Sequence, residues 1–294
     1  MSSPAGKRAW LLSPFMFLMG VFFMLPLVLI VGYSFMTPQE TGGVMMPLTF
    51  EAYTKIFYET DFDGKKVFDP SFLLVCWRSV KLAALCTFLC LLAGFPMAYY
   101  MATRPPAQRN FWMMLVTIPF WTNLLIRTYA WILILRDGGL INNGLRGLGV
   151  LAEDQSISLL YTDFSVGLGL LYSYLPFMVL PIYSNLERMD WKLVEASADL
   201  YANRWQTLRR VTIPLCMPGI IAGSILVFIP CIGSYLAPQM LGGATYMMLG
   251  TKIESLFGAA KDWPFGSAAS VALMATVMIG LMIMSRRGGL KELV

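Results

Sequence analysis

The sequence has few charged residues and no histidine. Charged residues make up 13% of its 294 residues and hydrophobic residues 57%, whereas about a quarter of the residues in a soluble domain are charged. It also lacks a Cys/His cluster and a GxxxxGK[ST] motif, so it offers neither the usual ligands of a structural metal nor the phosphate-binding loop of an ATPase. We therefore predict an integral membrane protein without catalytic residues, a metal site or a cofactor of its own.

The cysteines and the basic residues do not indicate another class of protein. All five cysteines lie in or near apolar runs, where a thiol behaves as a small hydrophobic group, so we expect no disulfides. The net charge is +5, but the basic residues lie beside apolar runs rather than in one patch. We therefore expect no nucleic-acid partner.

Long apolar runs dominate the chain, and each is long enough to cross a bilayer as a helix of about 20 residues. Lys7 and Arg8 precede the first run as in a signal peptide, but Ala9–Met36 is much longer than the apolar part of one, so we expect it to remain as a span. The fold prediction is an all-α integral membrane protein in which residues 1–294 form a single transmembrane domain in contact with lipid. The six predicted transmembrane helices are residues 9–36, 73–101, 111–135, 164–186, 213–238 and 265–285.

The distribution of Lys and Arg predicts the orientation of these spans. An even number of spans places both termini on one side of the membrane. The termini, residues 102–110 and the polar segment at residues 187–212 carry an excess of basic residues, whereas the other connections are acidic in balance. The positive-inside rule therefore predicts cytoplasmic termini. Residues 37–70 are then a partly ordered external loop, residues 136–163 include a short surface helix, and Asp262 in the last external connection is interpreted as structural.

The stretch EASADLYANRWQTLRRVTIPLCMPGI, from Glu195 to Ile220, begins in this polar segment and continues into the fifth predicted span. Its pattern predicts two short helices joined by a turn, with Asp190 capping the first helix and Asn203 with Gln206 forming a capping box for the second. Two interpretations of its surface remain open. It is either an ordinary connection with solvated charges or a docking surface, for which small residues beside Trp205 and a basic face are suited.

Three short groups of residues in the stretch from Glu195 to Ile220 resemble the EAA loop of binding-protein-dependent ABC importer permeases. The resemblance implies a type I ABC importer permease fold and a hairpin, at about residues 187–212, that docks on a cytoplasmic ATPase subunit. The groups are Glu195, Ala196 and Ser197, then Val211, Ile213 and Pro214, then Pro218, Gly219 and Ile220. The residues implied in coupling to the ATPase are Glu195, Ala196, Ser197, Leu200, Tyr201 and Trp205.

One position of the hairpin departs from the family pattern. The family usually has glycine six residues after the glutamate, where this sequence has Tyr201. If the turn requires a positive φ at that point, a bulky residue costs about 1–2 kcal/mol. We therefore expect the turn to be built differently, through Asn203.

Three further stretches resemble the polyamine permeases within that family: GFPMAYYMA from Gly94, IPFWTNLLIRTYAW from Ile118 and KDWPFG from Lys261. The resemblance implies the permease subunit of an importer for spermidine or putrescine in the bacterial inner membrane. The implied partners are a second permease subunit in a heterodimer, two ATPase subunits that bind ATP and magnesium, and a periplasmic solute-binding protein.

The candidate residues of a substrate path are mostly aromatic. Asn123, Arg127 and Trp131 recur at i, i+4 and i+8, so they share one face of a helix. That face either lines a pore, because an intramembrane charge usually faces protein or water, or it lets Arg127 extend to the outer interface. Tyrosine rings attract cations, although they are also common at the lipid interface. The candidates are Trp121, Asn123, Arg127, Tyr172, Tyr174 and Tyr235.

The substrate inference leaves alternatives. No Asp or Glu lies in the apolar core of a predicted span, so this chain offers a polycation no counter-charge there, and selectivity is expected in the binding protein or the second permease. The fifth span contains Gly219, Gly223, Pro230 and Gly233, which permit close packing and kinks. The alternatives are an importer for another small solute, such as an opine, a phosphonate or iron, and a membrane sensor or assembly subunit that transports nothing.

Overall fold

The computed structural model describes residues 4–39, 42–60, 65–152, 154–243 and 246–286. Its described residues are mostly helical and divide into two compact units, one from the described residues up to 73 together with 253–279, and the other from the described residues between 74 and 252 together with 280–286. The dominance of helices follows from the membrane, where a helix satisfies all its backbone hydrogen bonds within one segment. The all-α fold class is therefore confirmed.

The first unit contains the start of the chain and most of the last helix. Two pairs of very short antiparallel strands lie in its loop, and the sequence analysis did not predict them. Their pairing satisfies backbone groups in the acidic segment that was expected to be partly ordered. Its elements are α1 (Pro4–Tyr33), β1 (Thr37–Pro38), β2 (Val44–Met45), α2 (Glu51–Thr54), β3 (Tyr58–Thr60), β4 (Lys66–Phe68) and much of α14 (Trp263–Arg286).

Asp262 is a structural residue, as the sequence analysis proposed. Its carboxylate accepts a hydrogen bond from Lys55 Nζ at 2.7 Å and one from the Phe265 amide at 3.2 Å. The second bond caps the first turn of α14, whose amide hydrogens have no partner within the helix. Asp262 therefore joins the loop near α2 to the beginning of the last span.

The second unit is built around a long central helix, α7, whose side chains Leu170, Met178, Ile182 and Leu186 are fully buried. Each of these residues is apolar, so the shapes of the side chains determine how the helices of this unit pack. The elements of the unit are most of α3 (Ser71–Ala102), α4 (Pro106–Trp121), α5 (Leu124–Leu135), α6 (Leu140–Gly147), α7 (Asp163–Arg188), α8 (Lys192–Asp199), α9 (Arg204–Thr207), a π-helical turn (Leu208–Thr212), α10 (Ile213–Leu215), α11 (Met217–Ile232), α12 (Leu236–Leu241) and the first four residues of α13 (Leu249–Phe257).

By length and composition, the described residues contain four to six candidate membrane spans. In the described chain, four single helices are long and apolar enough to cross a membrane, namely Leu12–Tyr33, Ser71–Ala102, Asp163–Arg188 and Trp263–Met282. Two bent helix pairs bring the number to six if each pair crosses as one span. The predicted positions of four spans are confirmed, and the predicted count of six is consistent with the structure.

The third predicted span, residues 111–135, is wrong as a single helix. The segment breaks between Trp121 and Leu124, and the helices on its two sides meet at 93°. Thr122 is extended, with ψ 141°, and the Asn123 side chain accepts a hydrogen bond from the Leu125 amide at 2.8 Å. A side-chain cap of this kind begins a new helix, so the polar Thr–Asn pair outweighs the apolar run around it.

The fifth predicted span, residues 213–238, is also broken. Helices Arg204–Leu215 and Met217–Ile232 meet at 67° at Cys216, between Pro214 and Pro218, each of which lacks an amide hydrogen for the helix ladder. The second helix ends at Ile232, and residues 236–241 form the separate helix α12. The span is therefore shorter than its apolar run.

The connection from Arg136 to Asp163 contains the predicted surface helix, α6. Its Asn142 is fully buried, where its side chain accepts from the Ile157 amide at 2.9 Å and donates to the Ile157 carbonyl at 3.1 Å. One amide side chain thus satisfies both backbone groups of Ile157 and holds the connection against α6.

Candidate functional site: the polar hairpin and the aromatic cluster

The polar segment forms the helical hairpin that the sequence predicts. We name residues 187–212 the hairpin. Asp190 accepts a hydrogen bond from the Lys192 amide at 3.0 Å, so it caps α8 as expected, although the helix begins after Trp191. The Trp191 ring contacts Tyr99 of α3 with a centroid separation of 6.0 Å. This aromatic contact anchors the start of the hairpin against a membrane helix.

Tyr201 occupies the turn between α8 and α9 in a left-handed conformation with φ 59°. The Tyr201 amide donates to the Ala198 carbonyl at 2.9 Å, and the Ala202 amide donates to the Ser197 carbonyl at 3.1 Å. These two bonds are the Schellman arrangement that ends a helix, in which glycine is the usual left-handed residue. The turn therefore has the conformation that glycine favours, with a tyrosine in its place.

The expectation that Asn203 replaces this turn is wrong. Asn203 has φ −74° and caps α9. Its side chain accepts from the Gln206 amide at 2.8 Å, and the Gln206 side chain accepts from the Asn203 amide at 2.9 Å. The predicted capping box is thus present, and Asn203 is committed to it. The end of α8 and the start of α9 are capped in different ways, because a helix end leaves carbonyl groups without a helical partner and a helix start leaves amide groups without one.

Ser197 joins the two helices of the hairpin from the inside. Its hydroxyl lies 2.8 Å from the Thr207 hydroxyl and also donates to the Val194 carbonyl at 2.7 Å. Ser197 is buried, with 8% of its surface exposed. Among the residues predicted to couple to an ATPase, Ser197 therefore stabilises the hairpin itself and is not on its outer surface.

The other predicted coupling residues lie on the surface of the hairpin. Glu195 and Ala196 are exposed on α8, and the exposed fractions at the turn and on α9 are 81% for Leu200, 97% for Tyr201 and 67% for Trp205. Large apolar side chains with this much exposure mark an interaction surface when they lie together. We name Leu200, Tyr201 and Trp205 the apolar tip.

The hairpin continues directly into α11, which packs closely on α7. A Cβ added to Gly219 would lie 2.9 Å from the Pro181 carbonyl oxygen, and one added to Gly223 would lie 2.9 Å from Met178 Sδ. The Pro181 oxygen belongs to the backbone and cannot move aside, and at Gly223 the backbone oxygen of Met178 also lies only 3.2 Å from the added Cβ, so glycine permits the close approach of the two helices. The hairpin therefore connects α7 and α11, two helices that pack closely against each other.

The π-helical turn Leu208–Thr212 was missed by the sequence analysis. It lies between α9 and the bend at Cys216. Its Arg209 and Arg210 are exposed, whereas Thr212 is buried. A π-turn has no simple sequence signature, and it adds one residue to a helical turn so that the following side chains rotate. The adjacent Pro214 was the available signal for irregular geometry here.

Two of the predicted path residues, Arg127 and Tyr172, come together with Trp131, which was predicted to share a helix face with Arg127. The Trp131 and Tyr172 rings are 5.7 Å apart in an edge-to-face arrangement, and the Arg127 guanidinium lies 6.0 Å from the centre of the Tyr172 ring. In the described part of the chain, Arg127 Nε is buried without a hydrogen-bond partner. We name Arg127, Trp131 and Tyr172 the aromatic cluster.

The remaining path candidates do not join this cluster. Asn123 is occupied as the cap of α5, and Trp121 is 88% exposed at the end of α4. The Tyr174 hydroxyl donates to the Pro230 carbonyl at 3.1 Å, so it links α7 to α11. Tyr235 is 46% exposed just before α12. The role of these side chains in transport stays a prediction.

A polar group that the sequence analysis did not predict lies at the other end of α3 and α7 from the hairpin. Arg78 pairs with Asp163 at 3.0 Å and stacks over the Tyr246 ring at 3.9 Å. Burial raises the pKa of Tyr246 to about 12, and the neighbouring Asp163 carboxylate adds to the rise. The phenol therefore stays neutral at physiological pH. These residues are far apart in the sequence, so only the fold brings them together.

Apolar helices joined by a polar hairpin define a multi-span membrane protein, and no group of metal-binding side chains occurs in the described residues. The family model described as "Binding-protein-dependent transport system inner membrane component" matches residues 91–287. The chain belongs to this family. It is therefore a transport component of the inner-membrane type, and the recognition drawn from the EAA loop is confirmed.

Curated relatives support the same assignment. The chain is 39% identical to the spermidine/putrescine transport system permease protein PotB of Haemophilus influenzae over 89% of this chain and 86% of that one. It is 39% identical to PotB of Escherichia coli K12 over 90% of both chains. It is also 31% identical to the inner membrane ABC transporter permease protein YdcU of Escherichia coli K12 over 78% of this chain and 76% of that one.

Solved structures share the fold. A chain of a bacterial ABC transporter involved in the import of the acidic polysaccharide alginate matches with a TM-score of 0.66 and 20% identity, covering 96% of this chain and 97% of that one. A chain of the alginate transporter in complex with a pentasaccharide-bound periplasmic protein matches with the same TM-score and 18% identity, covering 96% of both. The ABC importer permease architecture is therefore confirmed.

Proposed function

We propose that this chain is the permease subunit of an ATP-driven ABC importer for polyamines, namely spermidine or putrescine. The observation that carries the proposal is the 39% identity, over about nine-tenths of the chain, to permeases that bear these substrates in their names. The surface exposure of the hairpin supports a coupling role, and the absence of an ATPase phosphate loop from the sequence assigns ATP hydrolysis to another subunit.

The proposed assembly places residues 1–294 as one transmembrane domain beside a second, different permease. Two ATPase subunits bind ATP and magnesium and contact the hairpin, and a periplasmic solute-binding protein delivers the polyamine. Both termini of this chain are proposed to be cytoplasmic, as is the hairpin. The basic balance of these segments supports that orientation.

The hairpin is proposed to act as a lever between the ATPase and the spans. Glu195, Ala196 and the apolar tip contact the ATPase, while the Ser197–Thr207 bond and the capping box keep the two short helices together. Because α11 packs on α7 through Gly219 and Gly223, a displacement of the hairpin moves both helices as a pair. The bend at Cys216 is where that displacement changes direction.

The aromatic cluster is proposed to line the substrate path. The rings of Trp131 and Tyr172 attract a polyamine, and Arg127, which faces the Tyr172 ring, offsets part of that attraction and keeps the residence of the substrate short. This suits a path without carboxylates, because a polycation that bound tightly inside the membrane would leave slowly. Selectivity then resides in the binding protein or the second permease, as the sequence analysis expects.

The substrate is tested with the reconstituted complex. We expect its ATP hydrolysis to rise when the binding protein is loaded with spermidine or putrescine and to respond little to sugars, sulfate or amino acids. The Trp121→Leu/Tyr172→Leu double variant keeps hydrophobicity but removes two aromatic faces, each contributing about 0.5–2 kcal/mol to cation attraction. Uptake should weaken several-fold if either ring lines the path, Tyr172→Phe is the control that keeps the ring, and unchanged uptake in the double variant would remove these rings from the mechanism. Stimulation by a non-cationic solute alone would contradict the polyamine assignment and leave the importer assignment intact.

The coupling role is tested by Glu195→Lys and Ala196→Trp. Both positions are exposed, so the variants should insert and fold normally while uptake is abolished and the ATPase no longer co-purifies. Asp137→Lys, in the exposed turn after α5, is the matched charge reversal and should transport normally. Normal uptake by both hairpin variants would remove the hairpin from the mechanism.

The orientation is tested by labelling single cysteines at positions 65 and 192 with an impermeant thiol reagent in cells whose outer barrier is permeable. Lys65 and Lys192 are both exposed, so access depends on the side of the membrane. Four native cysteines are buried and Cys76 is partly exposed, so the test uses a cysteine-free background. Position 65 should react and position 192 should not, and the reverse pattern would overturn the proposed orientation.

A further inference from the structure

An open groove runs between α3 and α7 at the end of the spans away from the hairpin. Its volume is about 580 Å³, within the roughly 300–1,000 Å³ of sites that hold small molecules. Arg78, Lys81 and Asp163 lie at its mouth, and the rest of its wall is mostly apolar. Near the hairpin the two helices are packed together, since a Cβ added to Gly94 of α3 would lie 3.2 Å from Met178. The groove is therefore the part of this helix pair that stays apart.

The depth of the groove corresponds to one leaflet of a bilayer. Its lining extends along α3 from Arg78 to Leu89 and along α7 from Asp163 to Leu171, which is about 16 Å and 12 Å at 1.5 Å per residue. Half of a hydrocarbon core of about 30 Å is about 15 Å. The polar mouth thus lies near the interface, and the apolar part ends near the middle of the membrane.

The groove exposes large apolar side chains below basic ones. Leu85 is 51% exposed, Leu89 37% and Phe164 56%. Arg78 and Lys81 are both exposed above them, and Asp163 is the one acidic residue in the groove wall. Because Asp163 pairs with Arg78 at 3.0 Å, the mouth retains one net positive charge. That charge disfavours a polyamine and favours an anion.

We propose that this groove binds one anionic phospholipid of the leaflet opposite the hairpin, with the phosphate on Lys81 and Arg78 and an acyl chain along Leu85, Leu89 and Phe164. The basic mouth suits the phosphate of such a lipid, the apolar lining suits its acyl chain, and the one-leaflet depth suits its length. A bound acyl chain covers the exposed leucines between the splayed ends of α3 and α7 and holds them at a fixed separation.

Two substitutions separate the acyl and phosphate halves of the site. A Cβ added to Gly167, which lines the groove, meets open space, so Gly167→Leu places a side chain where the acyl chain would lie. Gly280→Leu on α14 is the matched control, since a Cβ there also meets open space. Lys81→Gln removes one charge from the mouth, and Lys66→Gln on exposed β4 is its control. Arg78 is left intact because it supports Tyr246 and Asp163.

The measurement is native mass spectrometry of the full chain in its purified complex, titrated with dioleoylphosphatidylglycerol or dioleoylphosphatidylcholine. We expect tighter binding of the anionic lipid. Lys81→Gln should weaken its binding by about fivefold, the factor expected for one basic residue at an anionic lipid surface. Gly167→Leu should remove binding of both lipids, and the two controls should bind as the unaltered chain does.

Three results would overturn the proposal. One is binding of both lipids by Gly167→Leu at the unaltered strength. Another is equal affinity for the two lipids together with no effect of Lys81→Gln, which does not depend on how well Gly167→Leu folds. The third is loss of the second permease from Gly167→Leu while lipid is still retained, because the groove would then be a contact between subunits.

Discussion

Replacing Tyr201 with glycine should stabilise the turn of the hairpin. Tyr201 has φ 59° at the left-handed position of a Schellman turn, where a residue with a Cβ costs about 1–2 kcal/mol. Glycine removes that cost but loses about 0.5–1 kcal/mol through the greater freedom of the unfolded chain. The Tyr201 side chain is 97% exposed, so almost no burial is lost. The net effect is a gain of about 0.5–1 kcal/mol in the stability of the turn.

The assay is hydrogen exchange at the amide of Ala202, whose bond to the Ser197 carbonyl closes the turn. A gain of 0.5–1 kcal/mol slows exchange by about two- to fivefold, since 1.36 kcal/mol corresponds to a factor of ten. Tyr201→Asn should give a smaller gain, because asparagine tolerates the left-handed region. Tyr201→Ala keeps the Cβ and should exchange about as fast as the unaltered chain.

The same variants separate backbone strain from a contact made by the ring. We expect the ATPase subunit to co-purify with the glycine and the asparagine variants, because Leu200 and Trp205 of the apolar tip remain. Faster exchange in Tyr201→Gly would refute the strain argument. Loss of the ATPase from both the glycine and the alanine variants would show that the tyrosine ring makes a necessary contact, so the departure from glycine would be functional.

Three further predictions concern the packing of α11 and two hydrogen-bonded contacts within the hairpin. Gly223→Ala should lower the free energy of unfolding by about 1–3 kcal/mol through overpacking. Gly233→Ala should be tolerated, because its added Cβ lies 3.9 Å from its nearest neighbour. Equal melting temperatures for the two variants would contradict close packing of α11. Asn203→Ala should cost about 1 kcal/mol by removing the cap of α9, and Asn203→Asp should restore it in hydrogen exchange; no difference between the two would rule out the cap. Ser197→Ala and Thr207→Ala should be coupled by about 0.5–1.5 kcal/mol in a double-mutant cycle of unfolding, and additive effects would contradict their hydrogen bond.

The class of protein and its local signals follow from the sequence alone. Long apolar runs require helices because the bilayer offers no hydrogen bonds to a free backbone, and four predicted spans are present as single helices. The capping box of Asn203 and Gln206 was also predictable, since its residues are three positions apart and need no tertiary partner. The hairpin surface was recognisable for the same reason, because its motif is contiguous.

The breaks in two spans depended on competition between local signals and apolar runs. At Asn123 a side-chain cap begins a new helix inside an apolar segment, and at Cys216 two flanking prolines accompany a 67° bend. A proline in a membrane helix is often tolerated, as Pro176 is within α7, so the residue type does not decide whether the helix breaks. The packing of neighbouring helices decides, and it is not visible in a single sequence.

The sequence by itself determined that this chain is a helical membrane protein with a polar hairpin, because apolar runs and caps act over a few neighbouring residues. Only the tertiary structure decided which side chains meet. Arg78, Asp163 and Tyr246 come from three separate segments, and Arg127 reaches Tyr172 across two helices. It also showed that Tyr201 adopts the left-handed conformation, because the backbone bonds that close the turn outweigh the preference of one residue.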